Sequence, residues 1–306
     1  MNSIDDILDA LLNSSQNGVL AVIAHTLGPS YRAVGAMMAV LDGGERLGTL
    51  SSGCIEADIA LHAAQVANDG RAQMLRYGEG SPFIDIELPC GGGLDIVLIP
   101  QPNKAVLAQM AVSRKTRQSC TLEIDTVSGD MRLIQPAQTG LFGTKLCVRL
   151  NPDIQFYIFG KGAEASTMTA IVRSVGYSHL LLSPDSETLD NAERQGCASR
   201  HLVSQSFPAD LLIDEWTAIV LFFHDHDWEP PILAGALMTS AFYVGAQGSQ
   251  RARDARLVSL TDLGVTPEAI KRLHGPIGLI RSVRDPVTLA VSVLAEVLQK
   301  AASARV

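Results

Sequence analysis

The stretch Gln155–Ala165, which reads QFYIFGKGAEA, decides the fold of the second half of the chain. An apolar strand runs into a glycine turn with the spacing GxGxxA, and the pattern predicts a helix over 166–174. A second strand then ends about twenty residues after the glycines, at Asp185. Strand, turn, helix, strand and acid follow one another as in the Rossmann dinucleotide fingerprint. Gly160 and Gly162 are therefore predicted to contact a nucleotide, and a Rossmann-like unit without a nucleotide is the alternative.

A third apolar strand, 218–223, runs into a cluster of histidine and aspartate side chains. In a parallel sheet this cluster lies at the carboxyl end, where such folds bind ligands. His224, Asp225 and His226 are therefore predicted to contact a ligand. A metal site is an alternative, although adjacent residues on one strand point to opposite faces.

Two further segments of the second half have the composition of ligand-binding loops. Gly248 and Ser249 open a basic helix that contains Arg251, which predicts an anion-binding site at the helix N-terminus. A solvated helix face is the alternative. His274 lies in a rigid loop of glycine and proline that we expect near the same crevice.

The first half alternates short strands and helices without the regular order of a parallel sheet. Helices are predicted over 4–13, 57–67 and 105–112, and strands over 18–25, 35–41, 46–50, 74–77, 83–88, 94–100, 121–126, 131–135 and 146–150. Asn151–Asp153 is the predicted linker. The fold class is thus α/β: a β-rich α+β domain over 1–150, then a Rossmann-like nucleotide-binding domain with a mostly parallel sheet over 151–306.

Two cysteine–glycine stretches in the first half are candidates for chemistry. Gly53–Glu56 precedes a predicted helix, so Cys54 lies near a helix N-terminus, where a thiol pKa falls and anions bind. Cys90 is followed by Gly91, Gly92 and a third glycine, which leave the backbone accessible. The alternatives are a serine-capped helix at the first stretch and a glycine-rich hairpin with an inert thiol at the second.

Composition and charge exclude several classes of protein. The 306 residues are 47% hydrophobic and 18% charged, as in globular proteins. The net charge is −8, with no basic run, so a nucleic-acid or membrane-surface binder is not expected. The acidic N-terminus and the absence of a long apolar run predict neither a signal peptide nor a membrane span. Five widely spaced cysteines predict reduced thiols and a cytoplasmic location.

The ordered set of motifs resembles the xanthine dehydrogenase accessory protein family, XdhC, and the related CoxI proteins of carbon monoxide dehydrogenase operons. The resemblance runs from about residue 18 to the C-terminus, and the set is more specific than any single motif. The motifs are Gly28–Arg32 with Gly35–Met37, Ser52–Glu56, Cys90–Gly92, Phe159–Gly162, His224–His226, Tyr243–Ser249 and His274–Leu279.

The resemblance implies a chaperone without turnover of its own that binds the molybdenum cofactor, as molybdopterin or its cytosine dinucleotide form. It also implies a cysteine desulfurase that sulfurates the cofactor, delivery to an apoenzyme of the xanthine dehydrogenase class, and a homodimer. Cys54 and Cys90 are then candidate ligands of molybdenum. The expected cofactor-binding residues are Arg32, Gly53, Cys54, Glu56, Cys90, Gly91, Gly92, Gly160, Gly162, His224, Asp225, His226, Gly248, Ser249, Arg251 and His274.

The glycine turn departs from the family pattern. The family commonly has a histidine after the second glycine, whereas here Gly162 is followed by Ala163 and Glu164. Glu164 adds negative charge beside the predicted phosphate site, which argues against ordinary NAD binding. Three other functions remain open: an NAD(P)-dependent oxidoreductase, a metal-dependent hydrolase or nucleotidyl-transfer enzyme using His224, Asp225 and His226, and a scaffold that holds no cofactor.

Overall fold

The computed structural model describes residues 3–14, 18–82, 91–224 and 227–304. The chain divides into two compact units, Met1–Pro152 and Asp153–Val306. The predicted strand 83–88, Cys90, Asp225 and His226 lie outside the described residues. No helix within those described ranges is long and apolar enough to cross a membrane.

The first unit is built on an antiparallel sheet, which has the order β3-β2-β1-β5-β4 in the described part of the chain. Its strands are β1 Val19–Leu27, β2 Met37–Val40, β3 Arg46–Gly48, β4 Gln73–Gly78 and β5 Gly93–Pro100. The helices of this unit are α1 Ile4–Asn13, α2 Glu56–Asp69 and α3 Lys104–Lys115. The turn Asp42–Gly44, in a 3-10 conformation, joins β2 to β3.

Strand β1 is apolar at every position from 19 to 24 because both faces of the sheet are covered. Leu20 and Val22 face a core shared with α1 and α3. Val19, Ala21 and Ile23 face the opposite core, which α2 closes. Side chains alternate between the two faces of a strand, so an uninterrupted apolar run buries both.

A second antiparallel sheet completes this unit, with the order β7-β6-β9-β8 over the described residues. Its strands are β6 Cys120–Asp125, β7 Met131–Ile134, β8 Gly140–Phe142 and β9 Lys145–Leu150. Sequence analysis did not predict β8, a three-residue edge strand with too few residues to show alternation. Cys120 and Cys147 are buried in this sheet, and burial raises the pKa of both thiols.

The second unit has a parallel sheet with the order β12-β11-β10-β13-β14-β15 in its described residues. Its strands are β10 Gln155–Gly160, β11 Ser178–Ser183, β12 Ser199–His201, β13 Thr217–Phe222, β14 Tyr243–Ala246 and β15 Leu273–His274. Its helices are α4 Ala163–Ser174, α5 Ser186–Arg194, α6 Glu229–Leu237, α7 Gln250–Asp262, α8 Pro267–Ile270 and α9 Pro286–Ala304.

Helices cover both faces of the parallel sheet. Val172 of α4 and Val293 of α9 lie in the core on one face. Leu233 of α6 and Leu260 of α7 lie in the core on the other. Burial on both faces explains why β13 is a continuous apolar run. The predicted fold class, a β-rich first half and a Rossmann-like second half with a parallel sheet, is confirmed.

Candidate functional site

In the first unit, the predicted residues lie in loops that adjoin strand ends of the five-stranded sheet. Leu27, at the end of β1, pairs with Gly93 at the start of β5. Gly48, at the end of β3, pairs with Met38 near the start of β2. Because neighbouring strands run in opposite directions, β1 and β3 end toward the same edge of the sheet and β5 begins there. Ala21 and Gly48 both pair with Met38, so β3 ends level with Ala21 and not with Leu27.

Three of the predicted stretches adjoin these strand ends. They are the loop 28–36, which contains Arg32, the loop 49–55, which contains Cys54, and Gly91 with Gly92. Arg32 is half-buried in its loop, where the Ser30 hydroxyl donates to its carbonyl oxygen at 2.7 Å.

Gly92 lies directly against the loop that follows β1. A Cβ atom at this position would lie 2.3 Å from the carbonyl oxygen of Pro29 and 2.6 Å from that of Leu27. Non-bonded atoms do not approach so closely, so only glycine fits here. The close approach joins the stretch Gly28–Arg32 to the glycines that follow Cys90 in the sequence.

Cys54 is exposed on the loop between β3 and α2. The backbone before it passes through left-handed conformations, with φ of 65° at Ser52 and 104° at Gly53. A Cβ atom at Gly53 would meet none of the described residues within 4 Å, so they leave the backbone beside the thiol uncovered. The helix begins at Glu56, so Cys54 precedes its N-terminus, as the sequence predicts.

The carboxylate of Glu56 holds this loop together. It is only 6% exposed and accepts hydrogen bonds from backbone N–H groups and from two hydroxyls of the loop. The donors are Thr49 Oγ1 at 2.6 Å, Leu50 N at 3.0 Å, Ser51 N at 2.8 Å, Ser51 Oγ at 2.8 Å, Gly53 N at 2.9 Å and Ile55 N at 3.3 Å.

These bonds keep Glu56 ionised. Burial alone raises the pKa of a carboxyl group, but the hydroxyls of Thr49 and Ser51 and the loop N–H groups outweigh it and lower the pKa of Glu56 to about 2. Both carboxylate oxygens face the loop. The alternative of a serine-capped helix is wrong, because the N-cap of α2 is Ile55 and no side chain caps the helix. The Ser51 hydroxyl instead accepts the N–H of Ile55 at 3.2 Å.

A row of charged residues at the same end of the sheet was missed by sequence analysis. The guanidinium of Arg76 on β4 donates to both oxygens of Asp95 on β5, at 2.6 and 2.7 Å. The hydrogen bonds to this carboxylate raise the pKa of Arg76. His25 of β1 lies 3.7 Å from the same carboxylate. Arg76 stands between the buried Leu75 and Tyr77, and this alternation was the available signal.

In the second unit, the predicted residues lie at the carboxyl end of the parallel sheet. The glycine turn follows β10, His224 follows β13, and Gly248 follows β14. Gly160 has φ of 155°, and a Cβ atom there would lie 2.5 Å from the carbonyl oxygen of Phe222. Because glycine has no Cβ atom, the ends of β10 and β13 can lie side by side.

The second glycine of the turn is tied to α5. The N–H of Gly162 donates to Thr188 Oγ1 at 2.8 Å, and this hydroxyl donates to Asp185 Oδ2 at 2.5 Å. Asp185 is the N-cap of α5 and also accepts the N–H of Thr188 at 2.8 Å. The hydrogen bonds from Thr188 lower the pKa of Asp185. The acid that the fingerprint places near a ribose is thus a helix cap.

Glu164, His224 and Gln247 are brought together from three segments. Glu164 Oε2 lies 3.6 Å from the position of a Cβ atom at Gly162, so the carboxylate lies over the glycine turn. Its Oε1 lies 3.6 Å from His224 Nε2, and His224 Nε2 lies 3.0 Å from Gln247 Nε2. Gln247 was not predicted as a site residue, although it lies within the motif Tyr243–Ser249.

The basic helix α7 begins as predicted. Ser249 is its N-cap, and the hydroxyl accepts the N–H of Ala252 at 3.2 Å. Arg251 is exposed in the first turn. Gly248, just before the cap, has φ of 141°, which favours glycine.

His274 is held by the last helix. Its ring stacks on Tyr243, with centroids 4.5 Å apart and planes at 7°, and its Nδ1 lies 3.8 Å from Glu296 Oε1. Burial, followed by the charge of Lys300, lowers the pKa of His274, while Glu296 acts in the opposite direction. Tyr243 donates to Glu296 Oε1 at 3.0 Å. His274 is therefore a half-buried, structurally supported imidazole.

No group of three or more potential metal-ligating side chains occurs among the described residues. Asp225 and His226 lie outside them, so the proposed cluster at 224–226 stays a prediction.

Comparison with known proteins identifies relatives for both units. Residues 156–297 match the XdhC Rossmann domain, and residues 11–78 match the XdhC and CoxI family. A protein of Escherichia coli K12 named "Molybdenum cofactor insertion chaperone PaoD" is 34% identical over 296 residues, which cover 94% of this chain and 84% of that protein.

Two further similarities extend over nearly the whole chain. A Bacillus subtilis 168 protein, named as a probable xanthine dehydrogenase subunit, is 23% identical over 98% of both chains. A crystal structure described as that of a xanthine dehydrogenase from Bacillus halodurans superposes with a TM-score of 0.78 at 21% identity, covering 98% of this chain and 96% of that chain. This structure supports the fold alone. The 34% identity to the E. coli protein, together with the family match over 11–78, shows that the chain belongs to the XdhC and CoxI family.

Proposed function

We propose that the protein is a chaperone for the molybdenum cofactor. It binds the cofactor, holds it while a cysteine desulfurase replaces an oxo ligand by the terminal sulfido ligand, and delivers it to an apoenzyme of the xanthine dehydrogenase class. The named role of the E. coli relative supports this proposal. The observation that carries it is the exposed thiol of Cys54, which lies next to Gly53 in the loop before α2.

The donor set fits the cofactor. A cysteine thiolate is a soft ligand suited to molybdenum and to sulfur chemistry. Among the described residues, a Cβ atom at Gly53 or at Gly91 would meet nothing within 4 Å, which leaves room for a flat ligand beside both positions. Cys90 precedes Gly91 in the sequence and is the second thiol that we propose for this site.

The remaining residues have distinct proposed roles. Glu56 positions the loop that presents Cys54, since both of its oxygens are engaged within that loop. Arg32 is half-buried in the loop that follows β1, and we propose that it contacts an anionic group of the cofactor. We propose that the predicted residues of the second unit bind a phosphate group, either that of molybdopterin or that of its cytosine dinucleotide form. A homodimer stays an expectation from the family.

Transfer to a client tests this function. The protein, purified from cells that make the cofactor, is mixed with a cofactor-free enzyme of the xanthine dehydrogenase class, and the gain in hydroxylase activity is measured. We expect activity to rise with the amount of loaded protein and to stay at the background level with protein from cells that lack the cofactor. Equal activation by both preparations would contradict delivery.

A further inference from the structure

The glycine turn of the second unit is already occupied by side chains of the protein itself. In a dinucleotide-binding turn the N–H groups and the helix dipole face a pyrophosphate. Here the N–H of Gly162 donates to Thr188 Oγ1 at 2.8 Å. The carboxylate of Glu164 lies over the turn, 3.6 Å from the position of a Cβ atom at Gly162. A phosphate at this turn would meet a negative charge and lose a donor.

The start of α7 has the opposite character. Its first turn contains no acidic residue, and Arg251, Arg253 and Arg256 lie in the first two turns. Cations are unfavourable at the positive end of a helix dipole, so this arrangement calls for an anion nearby. Within the described ranges, the guanidinium groups of Arg251 and Arg253 make no ion pair or hydrogen bond.

Arg256 supplies a second and independent indication. Its side chain is 3% exposed and donates to Glu229 Oε1 at 2.5 Å and Oε2 at 3.1 Å, and to the carbonyl oxygen of Gln247 at 2.6 Å. Its Nη1 is buried and has no hydrogen-bond partner in the part of the chain that the structure describes. A buried donor without an acceptor is costly, which points to an acceptor supplied by a ligand.

Two glycines let the backbone lie close to this guanidinium. A Cβ atom at Gly248 would lie 3.3 Å from Arg256 Nη2, and one at Gly275 would lie 3.3 Å from Nη1. Gln247 adds an acceptor, since its Oε1 is buried without a partner among the described residues. The surroundings thus offer donors for an anion and one acceptor for a hydroxyl or amino group.

We propose that the junction of β14 and α7 binds a phosphate ester, and that the glycine turn does not. The ester oxygens contact Arg256 Nη1 and the N-terminus of α7, Arg251 and Arg253 add positive charge, and a hydroxyl or amino group of the ligand donates to Gln247 Oε1. The assignment of this ligand to the molybdenum cofactor rests on the proposed function, but the phosphate subsite itself does not.

Calorimetric titration of the full-length protein with CMP and with inorganic pyrophosphate tests the site. The double variant Arg251→Gln/Arg253→Gln changes accessible side chains, so the fold is retained, and it is expected to weaken CMP binding about tenfold. Glu164→Gln is the matched variant at the glycine turn and is expected to leave CMP affinity within about twofold. Tighter binding of CMP than of pyrophosphate identifies a nucleotide as the source, and equal binding identifies a terminal phosphate.

The inference would be overturned if the wild-type protein bound neither CMP nor pyrophosphate saturably, or if the double arginine variant bound CMP as tightly as the wild type. A marked rise in CMP affinity in Glu164→Gln would also overturn it, because it would place the phosphate at the glycine turn. Molybdenum content is measured on the same preparations. Wild-type protein without cofactor contradicts the proposed function alone, whereas wild-type protein that binds neither CMP nor pyrophosphate contradicts this inference alone.

Discussion

The Glu56 carboxylate accepts the backbone N–H of Gly53 at 2.9 Å and thereby fixes the residue directly before Cys54. The same carboxylate accepts N–H groups from Leu50, Ser51 and Ile55. The loop before α2 is therefore folded around an internal anion. In the first unit, the N–H groups that sequence analysis offered to a phosphate are in part used by the protein to present a thiol.

Replacement of Glu56 by Gln is expected to destabilise the first unit by roughly 3 kcal/mol, because a neutral amide accepts fewer of these bonds and brings its own donors toward theirs. Urea unfolding of both proteins near pH 7 measures the difference. Glu45→Gln, at an exposed position directly before β3, is the control and should unfold like the wild type. An equally stable Glu56→Gln variant would show that the carboxylate does not organise the loop.

The low pKa of Glu56 also predicts a pH dependence. The folded pKa of about 2 lies below the ordinary value of 4.5, so the stabilisation is complete above about pH 4.5 and is lost as the pH falls toward 2. The gap in unfolding free energy between the wild type and Glu56→Gln should therefore narrow on acidification. A gap that stays constant between pH 6 and pH 3 would contradict an ionised Glu56.

Gly92→Ala is expected to destabilise the protein by about 3 kcal/mol, because the added Cβ atom would strike two carbonyl oxygens of the loop after β1. Gly91→Ala is the matched control. Gly91 has φ of 69°, but a Cβ atom there would meet no described residue within 4 Å, so the cost should be only about 1 kcal/mol. Thermal unfolding compares the two variants. Similar melting temperatures would mean that the loop does not pack on Gly92.

His274 is expected to titrate below its ordinary pKa of 6.5, because burial disfavours the imidazolium. Its lowered pKa means that its contribution to stability is present above about pH 6.5 and is lost as the pH falls. Proton NMR of the imidazole should show a lower midpoint in Glu296→Gln and a higher one in Lys300→Gln, since these charges act in opposite directions. The control Glu187→Gln, on α5, should leave the midpoint unchanged. Shifts of the same sign in the first two variants would contradict this environment.

The sequence was sufficient to predict the elements that periodicity and glycine chemistry determine. The strand, turn and helix around Gly160 and Gly162 formed as expected, because burial on both faces produces long apolar strands and the turn needs positive φ. Side-chain partners across the fold were not predictable. Thr188 reaches Gly162 across 26 residues of chain, and no local pattern marks either partner.

The buried pair of Arg256 and Glu229 shows the same limit. Its two residues are 27 positions apart, on α7 and α6, and of the arginines of α7 sequence analysis singled out Arg251 alone. Glu56 was expected to contact the cofactor, while the structure turns its carboxylate toward its own loop. In each case the decisive contact depends on tertiary placement, which composition and spacing do not encode.

The central proposal is that the thiol of Cys54 or of Cys90, both in the first unit, holds the molybdenum cofactor. The direct measurement is the molybdenum and pterin content of wild-type protein, Cys54→Ala and Cys90→Ala, each purified natively from cells that make the cofactor. Cys197→Ala, at a buried position of the second unit, is the control. We expect loaded wild-type and Cys197→Ala protein and a large loss in at least one of the other two variants. Wild-type protein without molybdenum, or unchanged loading in both Cys54→Ala and Cys90→Ala, would contradict the proposal.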